Sequence, residues 1–252
     1  MSLRQLIFGL CLLVMANTLH ADELTPELQA QMAVNAAQQE YAEGNFGSAV
    51  AQCRNALNLL PDYLPALQWL TVSAHATGKL DDALEAYWQV QQYSFPELEE
   101  DITEELIRER ELLIQNEGLI SLLVNEDRKR RNLPLLLPDP RLSKVARAHS
   151  DEMRDKRYFD HKSPNPRLKT PTMRFLAEFG QLDTYTVGEN IASRSGSDYS
   201  LRPEAINVTH EELMESKGHR ANILGRDYHY MGMGIAVNDK GDYQVTQMFA
   251  NF

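Results

Sequence analysis

Cysteine is almost missing from this chain: of 252 residues, only Cys11 and Cys53 are cysteines. Cys11 lies inside an apolar run, Leu6 to Met15, that follows Arg4 and leads through Ala21 to Asp22-Glu23. A basic start, a short apolar centre and a small residue before a polar chain predict a secretory signal peptide over residues 1–21. The run is too short for a permanent bilayer helix, so no membrane span is expected after cleavage. Leu10 stands before Cys11 where a lipoprotein signal needs a small residue, which argues against a lipid anchor. With the leader removed Cys53 stands alone. No disulfide can then form within the chain, and the fold must rest on its core. The expected location is exported, either periplasmic or extracellular.

Basic residues are scarce in the first half. Residues 22–117 carry 18 acids against 4 bases, whereas residues 118–252 carry 18 acids and 20 bases. So uneven a division predicts two units with different surfaces. It also excludes nucleic acid and anionic membrane as partners of the acidic half, because phosphate contacts need clustered Lys and Arg.

Several catalytic signatures are absent too. There is no Gly-x-Ser-x-Gly elbow. His210-Glu211-Glu212-Leu213-Met214 has Met where a zinc protease needs its second His. Gly232-x-Gly234 lies among strand residues with no helix following, so it is not a dinucleotide loop. Cys53 sits at a packed repeat position and reads as core.

What the acidic half does contain is a repeat. Gly44 and Gly78, Ala49 and Ala83, and Cys53 and Tyr87 are each 34 residues apart. Gly tolerates a left-handed inter-helix turn, Ala lets helices approach, and Pro61 stops the next helix from running backwards. This period resembles the tetratricopeptide repeat, with two units at about 28–61 and 62–95 inside a segment 22–97. Two units leave an end uncovered. Residues 98–117 are expected to cap it and link onward, with Ile102, Leu106, Leu112 and Leu113 as the apolar side of an amphipathic helix.

Beyond residue 117, helices are expected at 117–132, 140–157 and about 203–216, with a Ser- and Gly-rich loop at 193–200. Strands at 228–237 and 243–249 flank the turn cluster Asn238 to Asp242 and predict a hairpin. Pattern alone reads as α+β.

Three segments in this half carry the chemistry: Tyr158-Phe159-Asp160-His161, Gly188-Glu189-Asn190, and Ser216-Lys217-Gly218-His219-Arg220-Ala221-Asn222-Ile223-Leu224. Each holds one group able to bind a metal or move a proton, and only a tertiary fold can gather them. In order and spacing they resemble the CAP superfamily (SCP, or cysteine-rich secretory, antigen 5, pathogenesis-related 1) in its bacterial form. Asn125 to Arg128 with Leu133-Pro134-Leu135, Leu142 to Met153, and Gly232 to Val237 with Tyr243 to Phe249 resemble the same family's helices and closing strands. The likeness covers residues 118–252 and implies an α–β–α sandwich. It also implies a cleft with two His and two acids, the second acid near Ser216. Glu212 and Glu215 are the neighbouring candidates.

His161, Glu189 and His219 are sufficient ligands for Zn²⁺ or a similar divalent ion. The same trio could instead relay a proton. The bland alternatives are a His bonded to a backbone carbonyl and a Glu189 that caps a helix at Asn190-Ile191. His149 is as readily an interior contact as a cleft residue. The expected function is an exported envelope module that binds a lipid, peptide or cell-wall ligand in the cleft and a protein through the acidic repeats. A metal-dependent hydrolase of peptides or cell-wall material is the enzymatic alternative, and a passive scaffold the structural one.

Overall fold

A computed structural model describes residues 24–94, 103–195 and 201–252 of the chain. The expected leader, the end of the second repeat with Ile102, and residues 196–200 of the expected loop lie outside the described residues. No helix among the described residues is long and apolar enough to cross a membrane.

Four helices open the structure: α1 (Pro26–Ala42), α2 (Phe46–Leu59), α3 (Leu64–Ala76) and α4 (Leu80–Gln92). Thr25 caps α1 by accepting from Leu28 N at 3.3 Å, with Pro26 in the first turn where no donor is needed. The turns between α1 and α2 and between α3 and α4 each place a glycine at positive φ, Gly44 at +84° and Gly78 at +80°. Ala49, Ala83, Cys53 and Tyr87 are all buried, as their spacing requires. Two helical hairpins on one plan are therefore present.

The next helix departs from expectation. The capping segment and the first helix of the second half are one continuous helix, α5 (Glu104–Arg130), 27 residues long. No Pro interrupts it. Gly118, near its middle, lets Leu84 and Tyr87 of α4 press against it, a Cβ there falling 2.9 Å from Leu84. In its first turns Leu106 and Leu112 are exposed, whereas Ile114 is buried and Leu113 packs against the core of the sheet domain.

The rest is a four-stranded mixed sheet between helices. It comprises β1 (Leu137–Pro138), α6 (Pro140–Lys156), α7 (Pro171–Phe179), β2 (Thr186–Arg194), α8 (Pro203–Glu215), α9 (Lys217–Ile223), β3 (Tyr230–Val237) and β4 (Tyr243–Asn251). Strand order is β1-β3-β4-β2, with β1 parallel to β3 and the other pairs antiparallel. Alternation sorts the strand residues onto two faces. Met231, Met233, Ile235, Tyr243, Val245 and Phe249 pack against Ile120 and Val124 of α5 and Ile206 and Leu213 of α8. Met248 and Ala250 face Leu142, Val145 and Ala146 of α6 and Phe175 of α7. Each large side chain so buried contributes about 1.5–3 kcal/mol.

Helix α6 lies unusually close to the sheet because two glycines make room. A Cβ on Gly232 would stand 2.2 Å from Ser143 N, and one on Gly234 would stand 2.1 Å from Arg147 N. This pair of glycines serves packing. The β3–β4 turn is closed by Asn238, whose side chain accepts from Lys240 N and Asp242 N, with Gly241 at φ +81°.

Candidate functional site

Helix α6 ends because Arg157 adopts a left-handed conformation, φ +54°. The turn sends Tyr158 to His161 back across the end of the helix toward strand β2. Short-range hydrogen bonds then hold this loop in shape. Asp160 Oδ1 accepts from Lys162 N at 2.8 Å, Ser163 N donates to Lys169 O at 2.9 Å, and Asn165 Oδ1 accepts from Arg167 N at 3.0 Å. They replace a ladder the loop cannot make.

Glu189 occupies the middle of β2, on the face turned toward α6 and α7, opposite Met248. It therefore caps no helix, and Gly188-Glu189-Asn190 is strand throughout; Ser193, expected in a loop, is strand as well. The Glu189 side chain is buried, and both its oxygens are engaged. His161 Nδ1 donates to Oε1 at 2.8 Å, and the buried Arg174 of α7 donates to Oε2. A carboxylate taken out of water needs such partners. Arg174 also donates to His161 O at 3.2 Å and Leu168 O at 3.1 Å. One guanidinium thus fixes the loop and the carboxylate together.

Two further groups extend the site inward. His149 of α6 is fully buried, with Nε2 at 3.2 Å from Asp160 O and 3.9 Å from Glu189 Oε1. Because a carbonyl only accepts, Nε2 carries the proton. Its Nδ1 lies 3.9 Å from Glu152 Oε2, which accepts from Tyr158 OH at 2.7 Å. Burial, outweighing the pull of Glu189, lowers the His149 pKa. Burial would raise Glu152, but hydrogen bonds from Lys156, Tyr158 and Ser163 prevail and hold it at about 2.

His219 is held beside strand β2 through its backbone. It sits in the short helix α9, which an amide network ties to β2. Asn190 Nδ2 donates to His219 O at 3.0 Å and to Gln247 Oε1 at 3.0 Å. Asn222 Nδ2 donates to Asn190 Oδ1 at 2.8 Å and to Glu189 O at 3.1 Å. The far end of α9 is held by the buried Arg128, which donates to Ile223 O and Gly225 O at 2.8 Å each. A cation at helix C-terminal carbonyls is favourable on charge alone.

The two cleft imidazoles are tuned in opposite directions. The hydrogen bond to Glu189 raises the His161 pKa above its ordinary value, although partial burial opposes it. Burial, with the charge of His161 added, lowers that of His219. His161 and Glu189 are thus bonded directly, and His219 senses the charge of His161. His161 is the half-exposed member, oriented by a buried carboxylate, with Nε2 free of hydrogen bonds among the described residues.

Neither candidate for a second acid joins it. Glu212 pairs with Arg194, and Glu215 lines a polar groove with Glu126, Arg130 and Arg220 between α5 and α8. Ser216 is the junction of α8 and α9, with no side-chain cap bond. The carboxylate that does flank the buried side is Glu152, three residues after His149 on the same helix. That spacing was a usable signal, since i and i+3 share a helix face. Arg174 also escaped sequence reasoning. Its sign was a charged residue beside Phe175 on the apolar side of a short helix, a place that demands an anion. Among the described residues, no group of three or more His, Cys, Asp or Glu is arranged to hold a metal ion. A divalent ion there would share the Glu189 carboxylate with Arg174 and His161.

Residues 122–249 match the family model described as "CAP: Cysteine-rich secretory protein family". Two curated relatives come from Bacillus subtilis (strain 168). The uncharacterized protein YkwD is 38% identical over 112 residues, 44% of this chain and 39% of that protein. The uncharacterized membrane protein YlbC is 33% identical over 113 residues, 45% of this chain and 29% of that protein. The chain therefore spans well under half the length of either. Among solved structures, an extracellular protein containing a SCP domain from Bacillus anthracis str. Ames aligns with a TM-score of 0.48 at 28% identity. That alignment covers 68% of this chain and 50% of the other. An outer surface protein from Borrelia burgdorferi aligns with a TM-score of 0.45 at 18% identity, over 54% of this chain and 92% of the other.

Proposed function

The chain belongs to the cysteine-rich secretory protein (CAP) family, and from that premise we propose that it is an exported binding module of the cell envelope. Its cleft, formed by His161, Glu189 and His219, holds a peptide, lipid or cell-wall ligand by hydrogen bonding without turning it over. One observation carries this reading: both oxygens of Glu189 are already bonded, to His161 and Arg174. The carboxylate then acts as an orienting group, and the His161 Nε2 edge is what remains to meet a ligand. Protonated His161 donates there to an anionic or carbonyl oxygen.

The helical hairpins α1–α4 act as a pair of tetratricopeptide-like repeats spanning 22–97, with 98–117 as connector and 118–252 as the cleft domain. Their acidic surface suits a basic protein or peptide. The 34-residue spacing of Gly44 and Gly78, both at positive φ, supports this assignment. Export is supported by the leader-like residues 1–21 and by the single cysteine beyond them.

Co-sedimentation of the purified protein with isolated cell-wall sacculi tests the cleft. Binding should be retained by wild type, weakened in His161→Ala, and accompanied by no release of soluble fragments. Release that stops in His219→Ala would make the protein a hydrolase and overturn the proposal. A metal-dependent reading draws on the charge effect of His161 on His219, two imidazoles one ion could link. Titration with Zn²⁺ decides it: a single site lost in His161→Ala supports that reading, and no heat of binding removes it.

A further inference from the structure

A second concave site, lined by none of the cleft residues, lies where the N-terminal helices meet the sheet domain. It is a groove of about 730 Å³, within the size range of small-molecule sites. One wall is aromatic and comes from the helices: Tyr41, Phe46 and Trp69, with ring centroids 4.9 Å apart for Tyr41–Phe46 and 5.7 Å for Tyr41–Trp69. The facing wall comes from the sheet domain and includes Leu133, Leu135 and Tyr230. All six are only partly buried, so this aromatic and aliphatic surface meets water. Water-facing apolar surface of this kind, collected in a concave place, marks a binding site more often than chance.

Its charge is distinctive. In a chain of net charge −11, no Asp or Glu side chain lines the groove. The lining contains one permanent cation, Lys129, whose Nζ stands 4.6 Å from the centre of the Phe46 ring. An ammonium over a ring face is held by the ring's quadrupole, and the ring also fixes its position. Lys129 forms no ion pair with a carboxylate among the described residues. An apolar trough with a positioned cation and no carboxylate side chain is complementary to one class of molecule.

We propose that this groove binds a monomeric amphipathic anion, its apolar body along Tyr41, Phe46 and Trp69 and its charged head at Lys129. The site needs both halves of the chain. Neither the helical hairpins nor the sheet domain supplies the groove alone, and Gln68 of α3 anchors them together by donating to Pro138 O at 2.8 Å. This assignment is independent of the His161 cleft.

The test uses the full chain carrying Trp88→Phe, so that Trp69 is the sole tryptophan and reports on the groove. Dodecanoate, kept below its micelle concentration, should shift Trp69 emission saturably, with one site by calorimetry. Lys129→Gln, at an exposed position that leaves the fold intact, should weaken binding roughly tenfold. Dodecanol, equal in length but neutral, should bind more weakly by a similar factor. Leu133→Trp, which fills the trough, should abolish the calorimetric signal. Absence of saturable binding, equal binding of the acid and the alcohol, or no effect of Lys129→Gln would overturn the proposal.

Discussion

Arg147 of α6 and Glu117 of α5 form a buried pair in which the guanidinium meets both carboxylate oxygens through Nε and Nη2. The pair is a junction. Arg147 also donates to Ser94 Oγ at 2.7 Å and Gln91 Oε1 at 2.9 Å, while Glu117 Oε1 accepts from Ile235 N at 3.1 Å. Helix α4, helix α5, helix α6 and strand β3 therefore share one hydrogen-bond network, and the helical hairpins are bonded into the sheet domain.

Breaking that network from one side should be severe. Arg147→Met leaves the Glu117 carboxylate buried without its cation and should lower stability by about 3–5 kcal/mol. The double variant Arg147→Met/Glu117→Leu should recover much of the loss, because no charge is then stranded. Urea unfolding of the two variants checks this. A double variant as unstable as the single one would show that the pair acts through packing alone.

The cleft histidines should titrate apart. His161, raised by its bond to Glu189, is expected above its ordinary value, and His219, lowered by burial, below it. NMR titration of the two rings should resolve separate transitions in that order. His161→Gln should bring the His219 value partly back up by removing a neighbouring positive charge.

The same shift has a consequence for stability. A histidine whose folded pKa exceeds its unfolded value stabilises the fold fully below the unfolded pKa and loses that contribution as pH rises through the folded pKa. Wild type should therefore exceed His161→Gln in stability most clearly below about pH 6.5. The difference should shrink at higher pH. Denaturant midpoints measured across pH 5–9, a window of about two units either side of neutrality, check the sign. A gap that grows with pH would contradict it.

Asn190 should matter more than its distance from solvent suggests. It is buried and joins α9 to β4 through His219 O and Gln247 Oε1. Asn190→Leu strands these partners and should cost about 1–3 kcal/mol. It should also release α9, so that the His219 titration moves toward the value of an exposed ring. Loss of stability with an unchanged His219 titration would mean the network holds the sheet and not the histidine.

Gly234→Ala should force α6 off the sheet, since the new Cβ would meet backbone and not a movable side chain. A loss of about 1–3 kcal/mol is expected, with a lowered Tm. Gly47, where an added Cβ would meet nothing within 4 Å, provides the control: Gly47→Ala in α2 should be neutral or mildly stabilising.

Much was legible in the chain before any coordinates. The helices at 140–157 and 203–216, the hairpin around Asn238 to Asp242, and the glycine turns at 44 and 78 all follow from local rules. Each depends on residues within one or two turns of itself, and each is found. Of the three motif residues, His161 and Glu189 are bonded to each other. What escaped were features without a local cause. Nothing in Gly188-Glu189-Asn190 alone says that it is the centre of an edge strand, because its partner residues lie about sixty positions later in β4.

By itself, then, the sequence determined most of the element types and the family likeness of the second half, because periodicity, turn chemistry and motif spacing are properties of neighbouring residues. Only the tertiary structure decided which partners His161 and Glu189 meet. Whether a buried carboxylate is an open ligand or a closed orienting group depends on which donors reach it. Arg174 comes from helix α7, 15 residues before Glu189 in sequence and bonded to it in space. The merging of two expected helices into α5 and the aromatic groove beside Lys129 have the same origin. Both arise where separate segments meet, and no single segment encodes the meeting.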